Sequence, residues 1–176
     1  MTYMSIIDQI KTYEALTPPT LQRIGQPKGE VAKRGILLAP QAQKDLDGAM
    51  KLVGRGYVIA VLERWVTGKI IKARIGGKKH GAFLAMLNPP PDQVWELRVT
   101  EPQSQGRLFC RFAAKDLMIV THMNTRSMLG KDGSPNWKRA MDDCVKEWDR
   151  LFPGQPPYQA GSVADYISEN WEDLNA

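Results

Sequence analysis

Residues 94–126 constrain the fold of this chain more than any other stretch. They read Val-Trp-Glu-Leu-Arg-Val-Thr, then Gly-Arg-Leu-Phe-Cys-Arg-Phe, then Leu-Met-Ile-Val-Thr-His-Met-Asn-Thr-Arg. The first two segments alternate apolar and polar residues with the period of two that half-buried strands require. Glu96 and Arg98 fall on one face, Trp95, Leu97 and Val99 on the other; Arg107, Phe109 and Arg111 oppose Leu108, Cys110 and Phe112. Residues 117–121 are nearly all apolar, as expected of a central strand covered on both faces. Pro102, Ser104 and Gly106 punctuate the first junction, and Ala114, Lys115 and Asp116 the second. The expectation is a three-stranded antiparallel meander with Arg98, Arg107 and Arg111 on its surfaces and His122 and Arg126 at its exit.

Helical signals flank the meander. Met4, Ile7, Ile10, Tyr13 and Leu16 have helical spacing, with Thr2 or Ser5 as cap and Pro18 and Pro19 as stop. The polar, Pro- and Gly-containing stretch to residue 34 reads as an extended basic arm. Residues 35–39 make a short apolar strand. A helix from Pro40 then places Leu46, Met50 and Val53 on one face, and a second spans residues 57–66. The clearest helix start is Ser134 followed by Pro135, after which Trp137, Ala140, Met141, Cys144, Trp148 and Leu151 recur on one face. A Pro- and Gly-rich connector leads to a last short helix over residues 162–174. These elements predict an α+β fold, a small antiparallel sheet of the meander plus the N-terminal strand packed with helices. The expected organisation is an N-terminal helix and basic arm (1–34), an α+β domain (35–152) and a C-terminal extension (153–176).

Charge is uneven. Residues 1–88 hold 14 Lys and Arg against 6 Asp and Glu, whereas residues 89–176 hold 10 against 13. A basic front half suits phosphates or another acidic surface; an ordinary solvated surface is the plainer account. The most basic segment carries Lys69, Lys72, Arg74, Lys78, Lys79 and His80 with no acid among them. Ile71, Ala73 and Ile75 alternate within it, so it reads as an edge strand or hairpin arm. Its cations either bind nucleic-acid phosphates or keep an edge from pairing with other sheets.

Several chemistries lack their motifs. There is no GxSxG serine, HExxH, GxGxxG, Walker loop or clustered His and Cys set. No metal or cofactor is expected. No apolar run reaches the ~20 residues that a membrane-spanning helix needs. The N-terminus is polar within a few residues, unlike a signal peptide. Cys110 and Cys144 sit in apolar patterns, as buried free thiols of a cytoplasmic protein would.

What remains is the arginine set. Arg98, Arg107 and Arg111 are able to clamp a phosphodiester and to neutralise a pentavalent phosphorane. His122, or Glu96 on the same strand as Arg98, is a candidate proton carrier. The alternative is structural: Arg107 and Arg111 pair with Glu96 and Glu101 across strands.

The motifs at 94–98, 106–112 and 119–126 resemble the RelE/ParE/HigB toxin superfamily, in particular its phage-related branch. Phe109 and Phe112 stand where that family has tyrosines, and the chain is longer than typical members. The resemblance implies a metal-free endoribonuclease acting on mRNA, usually at the ribosome. Arg98, Arg107 and Arg126 match basic positions of the family's site, and His122 matches a histidine that is usually structural there. It further implies an antitoxin protein as partner. A non-enzymatic phage or accessory protein, binding protein or nucleic acid through its basic half, is the other function this sequence suits.

Overall fold

The computed structural model describes residues 4–51, 53–76, 81–87, 92–100 and 105–174. Helix α1 (Ile6–Ala15) is capped by Ser5, whose hydroxyl accepts the Asp8 amide. Strands β1 (Gln22–Arg23) and β2 (Gly35–Leu38) follow. Then come α2 (Pro40–Asp47), a 3-10 turn at Ala49–Lys51, and α3 (Arg55–Val66). Strands β3 (Ile71–Arg74), β4 (Leu84–Met86), β5 (Trp95–Val99), β6 (Gly106–Ala114) and β7 (Leu117–Thr125) complete the middle of the chain. The short α4 (Arg126–Leu129), the long α5 (Pro135–Leu151), α6 (Val163–Tyr166) and β8 (Trp171–Asp173) end it.

All eight strands join one sheet in the order β1-β2-β7-β6-β5-β4-β3-β8. This overturns the expected small antiparallel sheet. The meander β5-β6-β7 is antiparallel, but it is only the centre of a mixed sheet. β2 lies parallel to β7, and β3 lies parallel to both β4 and β8. Helices α2 and α3 and strands β3–β6 lie between the parallel neighbours β2 and β7 in sequence. Strands β4 and β8 have three residues each, too few to display an alternation that local reading detects. The expected helix over 162–174 is therefore corrected. Only Val163–Tyr166 is helical, Asn170 adopts a positive φ of 56°, and the chain then extends into β8. The basic segment is corrected likewise: β3 is an interior strand between β4 and β8, not an edge. Lys78, Lys79 and His80 lie outside the described residues.

Both faces of the sheet are covered. On one, Trp95, Leu97, Leu108, Cys110, Phe112 and Val120 pack with α2, α3 and Tyr166. On the other, Phe109 meets Trp137, Ala140 and Cys144 of α5, while Ile119 and Leu37 meet Ile10 of α1 and Trp148. Burial on two sides explains why eight of nine β6 residues are buried, Arg107 and Arg111 included. Both arginines were expected on sheet surfaces; instead Arg111 lies against Trp148 of α5, and Arg107 is buried against Glu96. Cys110 and Cys144 are buried free thiols. No helix among the described residues is long and apolar enough to cross a membrane.

The C-terminal segment is held by directed bonds. The Tyr166 hydroxyl accepts the Ala160 amide, and the Ser168 amide donates to Asp116. Arg34, buried at the entrance to β2, donates to the carbonyls of Glu169 and Asn170. Its guanidinium lies 4.9 Å from the Trp65 ring centre.

Candidate functional site

The meander places Glu96 and Arg98 two residues apart on one face of β5, and the register sets Arg107 of β6 directly across from Arg98. Glu96 is fully buried. Its Oε1 accepts from Arg98 Nε and Nη2 at 2.9 and 2.8 Å, and its Oε2 lies 3.0 Å from Arg107 Nε. That last contact is an ion pair without an aligned hydrogen bond, since both atoms lack a partner in hydrogen-bonding geometry. Arg107 spends its other nitrogens on the Gly106 carbonyl and Gln105 Oε1. Burial lowers its pKa and the Glu96 carboxylate opposes that shift, so the guanidinium remains charged.

Only part of the expected arginine set converges. Arg126 is near enough for its charge to act on Arg107, but it pairs with Asp132 at 3.2 Å and lies over Trp137. Arg111 points elsewhere: its Nε and Nη2 donate to the Asp92 carbonyl, and it lies over the Trp148 ring. The structural alternative holds for Arg107, which pairs with Glu96; Glu101 lies outside the described residues. Lys69 is exposed and 3.7 Å from Glu30. Arg74 is half-buried on β3.

Arg98 and Arg107 border a groove of about 540 Å³. Lys72 of β3 and Arg64 of α3 line it too, beside Ile70, Phe83 and Glu172. Thus, among the described residues, α3, β3, β5 and β6 bring four cations to one opening whose lining includes a single acid, Glu172. Arg64 was not singled out from sequence, because an exposed arginine on a helix carries no local signal of what faces it.

His122 lines a different cleft, of about 470 Å³, with Gln41, Asp45, Asp143, Glu147 and Arg150. A register shift in the β6–β7 pairing aligns His122 with Phe109, and the two rings stack at 4.7 Å and 3°. Thr121 Oγ1 lies 3.1 Å from the Phe109 carbonyl, to which it donates, and 3.1 Å from His122 Nδ1. His122 Nε2 is buried and without a hydrogen-bond partner. The cleft's carboxylates are largely occupied. Asp45 accepts from Gln41 and from the Met123 amide, and Glu147 takes Arg150 through both oxygens.

Burial lowers the His122 pKa below its ordinary 6.5, against the pull of Asp45, Asp143 and Glu147. The folded pKa therefore lies below the unfolded one. Below about pH 6.5 the unfolded chain takes up the proton first, so stability falls on acidification through that window. His122→Gln is expected to flatten this fall. Urea midpoints at about pH 7.5 and about pH 5.5 check it, and equal losses in wild type and variant would reject the assignment.

No family model, no curated protein and no solved structure matches the chain.

Proposed function

We propose that the chain binds RNA through the groove between α3, β3, β5 and β6, and that it does so without cutting the strand. The observation that carries this reading is the gathering of Arg64, Lys72, Arg98 and Arg107 from four separate elements around one opening. Cations spaced along a groove neutralise successive phosphates and release their counterions. Cleavage would require a free proton carrier beside the cations. Glu96 is fully buried against Arg98 and Arg107, and His122 lines another cleft. These positions favour binding over the endoribonuclease activity that the family resemblance implies.

Fluorescence anisotropy with a labelled RNA oligomer tests the reading. Contact with three phosphates gives a slope near about −2 for log affinity against log salt, at about −0.7 per phosphate of a single strand. Lys72→Glu, an exposed change on the groove, is expected to weaken binding about tenfold or more at low salt. Lys146→Glu, on the His122 cleft, is the control and should leave affinity unchanged. Salt-independent binding, or equal losses from both variants, would remove the groove from the account. Cleavage of the oligomer that disappears in Arg107→Ala would remove the claim that the strand is left intact.

A further inference from the structure

We infer that the groove receives an unpaired nucleotide, with its base lying on the Arg64 guanidinium and its phosphate on Lys72 and Arg98. This rests on the RNA-binding reading above and assigns the chemistry of the same site.

The groove has two unlike walls. One is formed by Arg64, Ile70 and Phe83. The Arg64 guanidinium stands 5.3 Å from the Phe83 ring centre, and its Nη2 donates to the Ile70 carbonyl at 2.6 Å. The cation–π contact and the hydrogen bond together restrict where the exposed guanidinium sits. Ile70 is 56% exposed, an apolar side chain kept in water beside this plate. Guanidinium planes and apolar side chains are surfaces on which unpaired bases stack.

The other wall is cationic. Lys72 is exposed on β3, opposite Glu172 of β8. Arg98 is held at the groove's floor by its two bonds to Glu96, with 12% of its side chain exposed. A ligand that satisfies both walls has a planar ring at one end and a phosphate at the other. A simple anion leaves the Arg64 plate and Ile70 unused, and an apolar ligand leaves the cations unused. The volume, about 540 Å³, is within the range of small-molecule sites, roughly 300–1,000 Å³, and is far short of a double helix. In a duplex the ring faces are already stacked on their neighbours and are not offered to a protein.

The same chemistry is carried by a free nucleotide and by one unit of a single strand, and the experiment separates them. Anisotropy on the full chain compares four probes: a single-stranded RNA octamer, its duplex, an abasic strand of equal length and charge, and adenosine monophosphate as competitor. The octamer is expected to bind about tenfold more tightly than the duplex and the abasic strand, the size expected of one base stack. Millimolar adenosine monophosphate should displace it. Arg64→Lys retains the charge and loses the plate, so it should weaken octamer binding about tenfold and leave the abasic strand unchanged.

Equal affinity for octamer, duplex and abasic strand, or no effect of Arg64→Lys, would overturn the inference while the basic-groove reading stands. Absence of binding by every probe would overturn both. Tight mononucleotide binding that is lost in Arg64→Lys, with no binding of the octamer, would keep the stacking site and overturn the RNA reading.

Discussion

Glu96→Gln is expected to lower the unfolding free energy by about 3–5 kcal/mol, the usual cost of removing one partner from a buried ion pair. Glu96 has no exposed surface, and Arg107 is only 5% exposed. The carboxylate accepts two hydrogen bonds from Arg98 and sits 3.0 Å from Arg107 Nε. Glutamine keeps the shape but supplies no charge, and its amide nitrogen points a donor at a donor. Two guanidiniums from adjacent strands would then face each other across a low-dielectric gap. Urea unfolding near neutral pH measures the effect. A loss below about 1 kcal/mol would mean that the cations are compensated by other groups. The triple variant Glu96→Leu, Arg98→Met, Arg107→Met should recover most of the loss, since replacing a whole buried network by apolar side chains is often neutral. The network's value would then lie in presenting Arg98 to the groove, and the triple variant should be stable and poor at binding RNA.

Arg34→Met is expected to cost about 3 kcal/mol, from two charge-assisted hydrogen bonds lost and the Glu169 carbonyl left without a donor. In a domain of this size that lowers Tm by about 6–12 °C. Arg34 is 4% exposed. Its Nη2 bonds the carbonyls of Glu169 and Asn170, its Nη1 reaches toward the Lys69 carbonyl at 3.5 Å, and its plane lies over Trp65. Burial lowers its pKa, and Asp116 and Glu169 act against that shift from further off. The Asn170 carbonyl also accepts the Ile71 amide, so the arginine fastens the point where β8 joins β3. Hydrogen exchange should show β8 losing protection before the rest of the sheet. Arg34→Lys should not restore it, because a single ammonium cannot copy the fork. Unchanged protection of β8 in Arg34→Met would mean that Tyr166 and Ser168 suffice to dock the segment. Glu172 of β8 lines the groove, so undocking this strand should also alter RNA affinity.

Much of the local structure was legible in the sequence. The alternation in residues 94–112 specifies strands β5 and β6, and the apolar run from Leu117 specifies a covered strand. Ser134 and Pro135 announce α5, and both hold their expected cap positions. The expected helix over residues 57–66 lies within α3, which begins two residues earlier at Arg55 and is followed by Gly68, with a positive φ of 66°. Each of these signals acts within a few residues, through dihedral preference, capping or the period of burial.

The candidate site was legible only in fragments. Of the expected set Arg98, Arg107 and Arg111, the β5–β6 register sets Arg98 across from Arg107. Arg111 has the same period and the same face as Arg107, yet it turns to the Asp92 carbonyl and Trp148. Nothing within β6 distinguishes the two; the groups opposite them do.

The sequence by itself therefore determined which segments in the centre of the chain are strands and which are helices, but not that both faces of β5 and β6 are buried. Only the tertiary structure decided that eight strands share one mixed sheet, that β3 is interior, and that Arg64 meets Lys72 and Arg98. The reason is physical. Local periodicity is set by sterics and solvent over a few residues. The choice of partner for β2, β4 and β8 depends on contacts between segments far apart in the chain, whose free energy no single segment contains.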